Sequence, residues 1–197
     1  GWFGHRDDDT TSLGDWFIDR RKLPHGLTPL IERCEKLGMK FGLWFEPEMV
    51  SEDSALYRAH PDWCIRQEGR PYCRGRNQLI LDLSRPEVVE YLKRAVGDVL
   101  RANRISYVKW DMNRHMTDAY SAALPPERQP EIYHRYMLGL YALMEHLTAA
   151  FPDVIFEGCS GGGGRFDAGM LYYMPQIWTS DDTDAIAVSY THLTLPT

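Results

Sequence analysis

No stretch of this sequence is apolar for long enough to cross a bilayer, and no signal-like apolar segment opens it. Basic runs are equally scarce. Lys and Arg number 22 against 28 Asp and Glu, a net charge of −6 at pH 7. Nothing neutralises phosphates in bulk, which argues against a general nucleic-acid binder. Cysteine is sparse and irregular: Cys34, Cys64, Cys73 and Cys159 form no CxxC pair, so neither a zinc knuckle nor a redox motif is present. A reduced, cytoplasmic setting follows. Internal repeats and low-complexity linkers are missing. The one glycine run, "SGGGG", is followed by Arg165 and not by Lys-Ser or Lys-Thr. It therefore reads as a tight turn where backbone approaches something closely, not as a phosphate loop.

What is present is a core-forming composition, 44% hydrophobic and 12% aromatic over 197 residues. That suffices for one sizeable domain or a piece of a larger one. Strand-like and helix-like segments alternate. "LPHGLTPLIERCEKLGM" predicts a helix entered at Pro24–Thr28, with Leu27, Leu30, Ile31, Cys34 and Leu37 on one face and Gly38 as its stop. "KFGLWFEPE" predicts a strand ended by Pro47, and "NQLILDLS" a short second one. "SRPEVVEYLKRAVGDVL" predicts a helix with Ser84 as cap and Pro86 in its first turn. "ISYVKWDMN" is a strand, residues 130–150 a long amphipathic helix, and "DVIFEGCSGGGG" and "QIWTSDD" the last two strands. Repeated strand–helix units mean a parallel sheet. Each strand is apolar at its start and polar at its C-terminal end, as the strands of a TIM barrel are.

The polar ends carry the chemistry. In "YVKWDMNR", alternation puts Lys109, Asp111 and Asn113 on one face and Trp110 and Met112 on the other. A buried ammonium or carboxylate is costly unless paired, and these two are spaced to partner each other. A bare structural ion pair would explain this stretch alone. The other strand ends bear similar residues, however: Trp44 with Glu46, Glu157 with Cys159, and Trp178 ahead of two aspartates. Tryptophan faces, several donors and paired carboxylates suit a sugar, and two carboxylates flanking a glycosidic bond are the minimum machinery for its hydrolysis. "HRDDD" offers a rival reading, with His5, Asp7, Asp8 and Asp9 as metal ligands; adjacent acids in a loop are more often solvated.

Five stretches together closely resemble glycoside hydrolase family 36, the bacterial alpha-galactosidases: "GWFGHRDDDTTSLGDWFIDRRKLPHGL", "GMKFGLWFEPEMV", "YVKWDMNR", "FEGCSGGGGRFD" and "PQIWTSDDTDAI". The resemblance runs from Gly1 to about Ile186. It implies a retaining mechanism on a (β/α)8 TIM barrel, of which this chain would hold the end of strand 2 through strand 6. It implies Asp111 as nucleophile and Asp181 as acid/base. Trp44, Arg76, Lys109, Asn113, Cys159, Gly161 and Trp178 match positions that line the galactose pocket. No cofactor or metal is implied. The expected partner is a small α-galactoside such as melibiose or raffinose, with no nucleic acid and no membrane, and the whole protein would be a homo-oligomer. An α-N-acetylgalactosaminidase, a raffinose-type galactosyltransferase and a non-catalytic sugar-binding barrel are the alternatives.

Two departures accompany the resemblance. The family has an Asp-Asp pair just before the glycine-tryptophan that opens this sequence, and the sequence begins at Gly1. At the other end, residues 187–197, "AVSYTHLTLPT", resemble the translated read-through of a sequencing adapter. They are expected to be a non-native tail, or else an edge strand.

Overall fold

The computed structural model describes residues 1–67, 69–71, 73–182 and 184–186. The expected tail at 187–197 lies outside the described residues. Five α-helices and six strands follow one another among them: α1 Thr28–Lys36, β1 Gly42–Phe45, β2 Met49–Val50, α2 Ala55–Ala59, β3 Leu79–Ile80, α3 Pro86–Ala102, β4 Tyr107–Trp110, α4 Ile132–Ala150, β5 Ile155–Gly158, α5 Ala168–Tyr173 and β6 Gln176–Ile177.

Four strands form one all-parallel sheet in the order β1-β4-β5-β6. Its register sets Trp44 beside Lys109 and Lys109 beside Glu157, then Phe45 beside Trp110 and Trp110 beside Gly158. Because successive side chains alternate, each level belongs wholly to one face. Phe45, Val108, Trp110 and Phe156 are all but completely buried on one face. They join a single core with Val88, Leu92 and Val96 of α3 and Leu140, Leu143 and Met144 of α4. Trp44, Lys109 and Glu157 are left on the opposite face. This is an α/β fold in which parallel strands alternate with helices.

The expected strand at "NQLILDLS" exists only as β3, and it stands outside the parallel sheet. It pairs antiparallel with β2, Met49 opposite Ile80 and Val50 opposite Leu79. Ser84 is not the cap of α3. The capping position falls on Arg85, and the Ser84 hydroxyl donates to Asp82 at 2.6 Å instead. Pro86 does sit in the first turn, where its missing N–H costs nothing. The apolar stripe of α1 is narrower than its spacing suggests. Leu27 and Ile31 are buried, whereas Leu30 and Leu37 stand about half exposed at its edge. Leu30 and Leu37 project some 60–80° round the helix from Leu27, at the margin of the buried arc.

The glycine run has the close neighbour that its composition implied. A side chain at Gly162, whose φ is +92°, would meet the Ser180 backbone at 3.0 Å, and one at Gly163 would meet the Thr179 carbonyl at 3.0 Å. The Gly163 N–H donates to that same carbonyl. Arg165, next after the run, turns inward to a fully buried Glu48, with N–O distances of 2.8 and 3.1 Å. Glu48 also accepts from the Trp110 indole at 2.9 Å and the Tyr136 hydroxyl at 2.6 Å. Such a buried ion pair repays its desolvation only when the remaining lone pairs and protons are satisfied; the Glu48 oxygens are, while Arg165 Nε is buried without a partner. Burial beside Glu48 pushes the Tyr136 hydroxyl well above the usual phenol range.

Gly139 lets α4 press against the chain leading into α3. A Cβ there would lie 1.9 Å from the Leu83 carbonyl oxygen, which belongs to backbone and has no rotamer to yield. Gly139→Ala should therefore destabilise by about 3 kcal/mol or more despite its gain in helix propensity, an overpacking cost at the top of the usual range. A melting temperature equal to or above the parent's would show that the two segments separate freely.

Candidate active site

The backbone pairing of the sheet runs one step past its strand ends. The Asp111 N–H donates to the Phe45 carbonyl at 2.8 Å, the Cys159 N–H to Trp110 at 2.8 Å, and the Trp178 N–H to Gly158 at 2.8 Å. Glu46, Asp111, Cys159 and Trp178 therefore make a second level above Trp44, Lys109 and Glu157, at the C-terminal edge of the sheet. In open parallel sheets this is where ligands bind.

Asp111 is buried, and its carboxylate takes N–H donors from three directions. Oδ2 accepts from the Trp44 indole at 3.1 Å and from the Asn113 amide at 2.7 Å; Oδ1 accepts from the Met112 N–H at 3.0 Å. All three partners are donors, the complement of a carboxylate. The Cys159 thiol lies against the same group. Burial pushes the thiol up to about 11, and its hydrogen bond to Asp111 adds to the rise. Lys109 does not pair with Asp111 as their spacing suggested. Its Nζ stands 4.0 Å from the centre of the Trp178 ring instead. A cation over an indole face gains about 0.5–2 kcal/mol, according to how dry the site is. The Trp178 indole N–H in turn donates to Asp181 at 3.0 Å.

The expected site residues thus fall into two groups and two single loop positions. Trp44, Asn113 and Cys159 surround Asp111. Lys109, Trp178 and Asp181 form a second chain beside it, with Asp181 exposed. Arg76 and Gly161 are loop residues. Arg76 is exposed on a loop with left-handed backbone at φ +53°, and Gly161 has φ +54° with open space where a side chain would stand. The carboxylates of "HRDDD" diverge. Asp7 pairs with Arg21 and Lys22, Asp8 with Thr10, and Asp9 with Asn77. No group of three or more potential metal-ligating side chains converges among the described residues.

Three residues of the site carried no assignment from the sequence. Glu46 shares a face with Trp44, as alternation requires, but its partners come from afar. It accepts the Asn113 N–H at 2.7 Å and the Gln78 amide at 3.0 Å. Arg114, also buried, donates to the Gln78 carbonyl at 3.0 Å and to the Cys73 carbonyl. Gln78 and Arg114 have no local signal; only the fold brings the loop at 73–78 to the end of β4.

The family model described as Melibiase matches residues 1–194. The chain belongs to the melibiase family. It is 62% identical over 187 residues to alpha-galactosidase AgaA of Geobacillus stearothermophilus, covering 95% of this chain and 26% of that enzyme. The crystal structure of a variant of AgaA, a GH36 alpha-galactosidase, in complex with raffinose superposes with a TM-score of 0.93 at 60% identity, over 96% of this chain and 27% of that one. Another AgaA variant, in complex with stachyose, gives 0.92 at 61% identity, over 95% and 26%. This melibiase-family chain thus spans about a quarter of the length of the curated relatives it matches.

Burial, and secondarily the charge of Asp111, raises the Glu46 carboxyl from 4.5 to about 7. The native state keeps that proton to higher pH than the unfolded chain does, so stability falls as pH rises from about 4.5 to about 7. At roughly 1.4 kcal/mol per pH unit, the full cost is on the order of 3 kcal/mol. Glu46→Gln removes the charge and should relieve that cost. Its melting temperature relative to the parent should be higher at pH 8 than at pH 4.5; a constant difference across that range would mean Glu46 does not titrate there.

Proposed function

We propose that this chain is the central part of the catalytic barrel of a retaining alpha-galactosidase, residues 1–186 running from the exit of barrel strand 2 through strand 6. On that numbering β1, β4, β5 and β6 are barrel strands 3 to 6. Asp111 is the nucleophile and Asp181 the acid/base. The substrates are terminal α-galactosides such as melibiose and raffinose.

One observation carries the reading: a buried carboxylate at the C-terminal end of β4, held by Trp44 and Asn113, in a chain 62% identical to an alpha-galactosidase. In the first step Asp111 attacks the anomeric carbon from the face opposite the leaving group. The bond from that carbon to the glycosidic oxygen breaks, and Asp181 gives that oxygen its proton. In the second step Asp181 takes a proton from water, and the water oxygen displaces Asp111. Two inversions leave the configuration retained. Trp44, Lys109, Asn113, Cys159 and Trp178 line the sugar site, with Arg76 and Gly161 at its rim. The complexes of relatives with raffinose and stachyose support the substrate class. The four free cysteines support a reduced, cytoplasmic setting.

In the full-length protein carrying this segment, Asp111→Ala should lower turnover of an aryl α-galactoside by at least a thousandfold. Added azide should restore product, released as the β-galactosyl azide, because a small anion fills the vacated position and attacks from the same face. A variant that keeps a tenth of its activity without azide would place the nucleophile elsewhere.

A further inference from the structure

The nucleophile's main support has a support of its own. The Asn113 side chain donates to Asp111 Oδ2 at 2.7 Å, and the Asn113 backbone N–H donates to Glu46 Oε1 at 2.7 Å. Glu46 comes from the next strand, one residue past the last paired level of β1 and β4, so the two carboxylates are neighbours on one face. Its other oxygen, Oε2, accepts the Gln78 amide at 3.0 Å. Gln78 belongs to the loop that carries Arg76 and Asn77, whose φ angles of +53° and +58° are both left-handed. The loop is held from a second side by Arg114, three residues beyond Asp111, through the Gln78 and Cys73 carbonyls.

We propose that Glu46 is a positioning residue for the glycosidase reaction: its two carboxyl oxygens fix Asn113, and through it Asp111, while tying the Arg76-bearing loop to the same point. The proposal rests on reading Asp111 as the nucleophile. Glu46 hydrogen-bonds to Asn113 and Gln78 and touches none of the reacting atoms in that mechanism; it acts on Asp111 through Asn113. Its anchorage suits two protonation states. As a carboxylate it accepts from the Gln78 amide nitrogen. As a neutral acid it needs an acceptor, and Gln78 Oε1 is buried without a hydrogen-bond partner, one amide rotation away. The charged groups facing Glu46 are Asp111 at the end of β4, which disfavours its ionisation, and Arg6 of the N-terminal loop; Asn113 and Gln78 face it uncharged.

Ionised Glu46 holds the Asn113 N–H by a charge-assisted bond, the stronger kind, and adds negative charge near the oxocarbenium-like transition state. The neutral acid does neither. Two variants of the full-length protein test this on an aryl α-galactoside, with Asp111→Ala as reference. Glu46→Leu keeps approximate volume and removes both acceptors; kcat should fall at least tenfold. A folded Leu variant with undiminished kcat would overturn the proposal. Glu46→Gln keeps an acceptor for Asn113 and is fixed in the neutral form. The ratio of wild-type to Gln kcat should rise at least threefold between pH 5.5 and pH 8. Every other group of the site is the same in both proteins, so its contribution cancels in the ratio. A flat ratio would also overturn the proposal, even if the Leu variant does not fold, since a purely structural role would leave the ratio flat. Should Asp111→Ala retain activity while Glu46 variants lose it, the nucleophile assignment fails instead.

Discussion

Everything at this site depends on the parallel register of β1, β4 and β5. Three strands only four residues long carry it, yet it decides which side chains meet. A slip of one residue in β4 would carry Trp110 to the opposite face and bury Lys109 and Asp111 among the helices. The register is defended chiefly from behind. Phe45, Val108, Trp110 and Phe156 lock into the core against α3 and α4, and burying each such side chain contributes roughly 1.5–3 kcal/mol. The polar face is positioned as a by-product of the apolar one.

Two buried carboxylates two residues apart show how environment divides similar groups. Glu48 meets a guanidinium, an indole N–H and a phenol, a satisfied set on the helical side. Glu46 meets neutral amides and a neighbouring carboxylate, and burial raises it to about 7. One carboxylate is spent on stability. The other is placed where its proton can be exchanged near neutral pH.

Much of this was legible in the sequence, because period-two alternation is a local property. The facing sets Lys109–Asp111–Asn113 and Trp44–Glu46 follow from alternation alone, and the polar C-terminal strand ends point to one edge. The close approach at the glycine run was legible as well, since four glycines in a row have few other uses. What escaped depends on distance along the chain. The two-residue pairing of β2 with β3 is too short to show a period. Gln78, which donates to Glu46, and Arg114, which donates to the Gln78 carbonyl, lie 32 and 68 positions from Glu46, and neither has a motif around it. Lys109 was free to choose between Asp111 two residues away and Trp178 just past the end of β6; only the assembled sheet brings the indole centre to 4.0 Å. Side-chain direction around Ser84 was lost to a competing acceptor, Asp82.

The indole of Trp110 joins the Glu48 cluster one residue before Asp111. Seen mechanically, the end of β4 is pinned from the rear by a group that cannot turn without parting a buried ion pair. The backbone that presents Asp111 thus has an anchor behind the sheet as well as its neighbours within it. A change at Trp110 or Glu48 would therefore be felt at Asp111 through the backbone of one residue, although neither side chain lies on its face of the sheet.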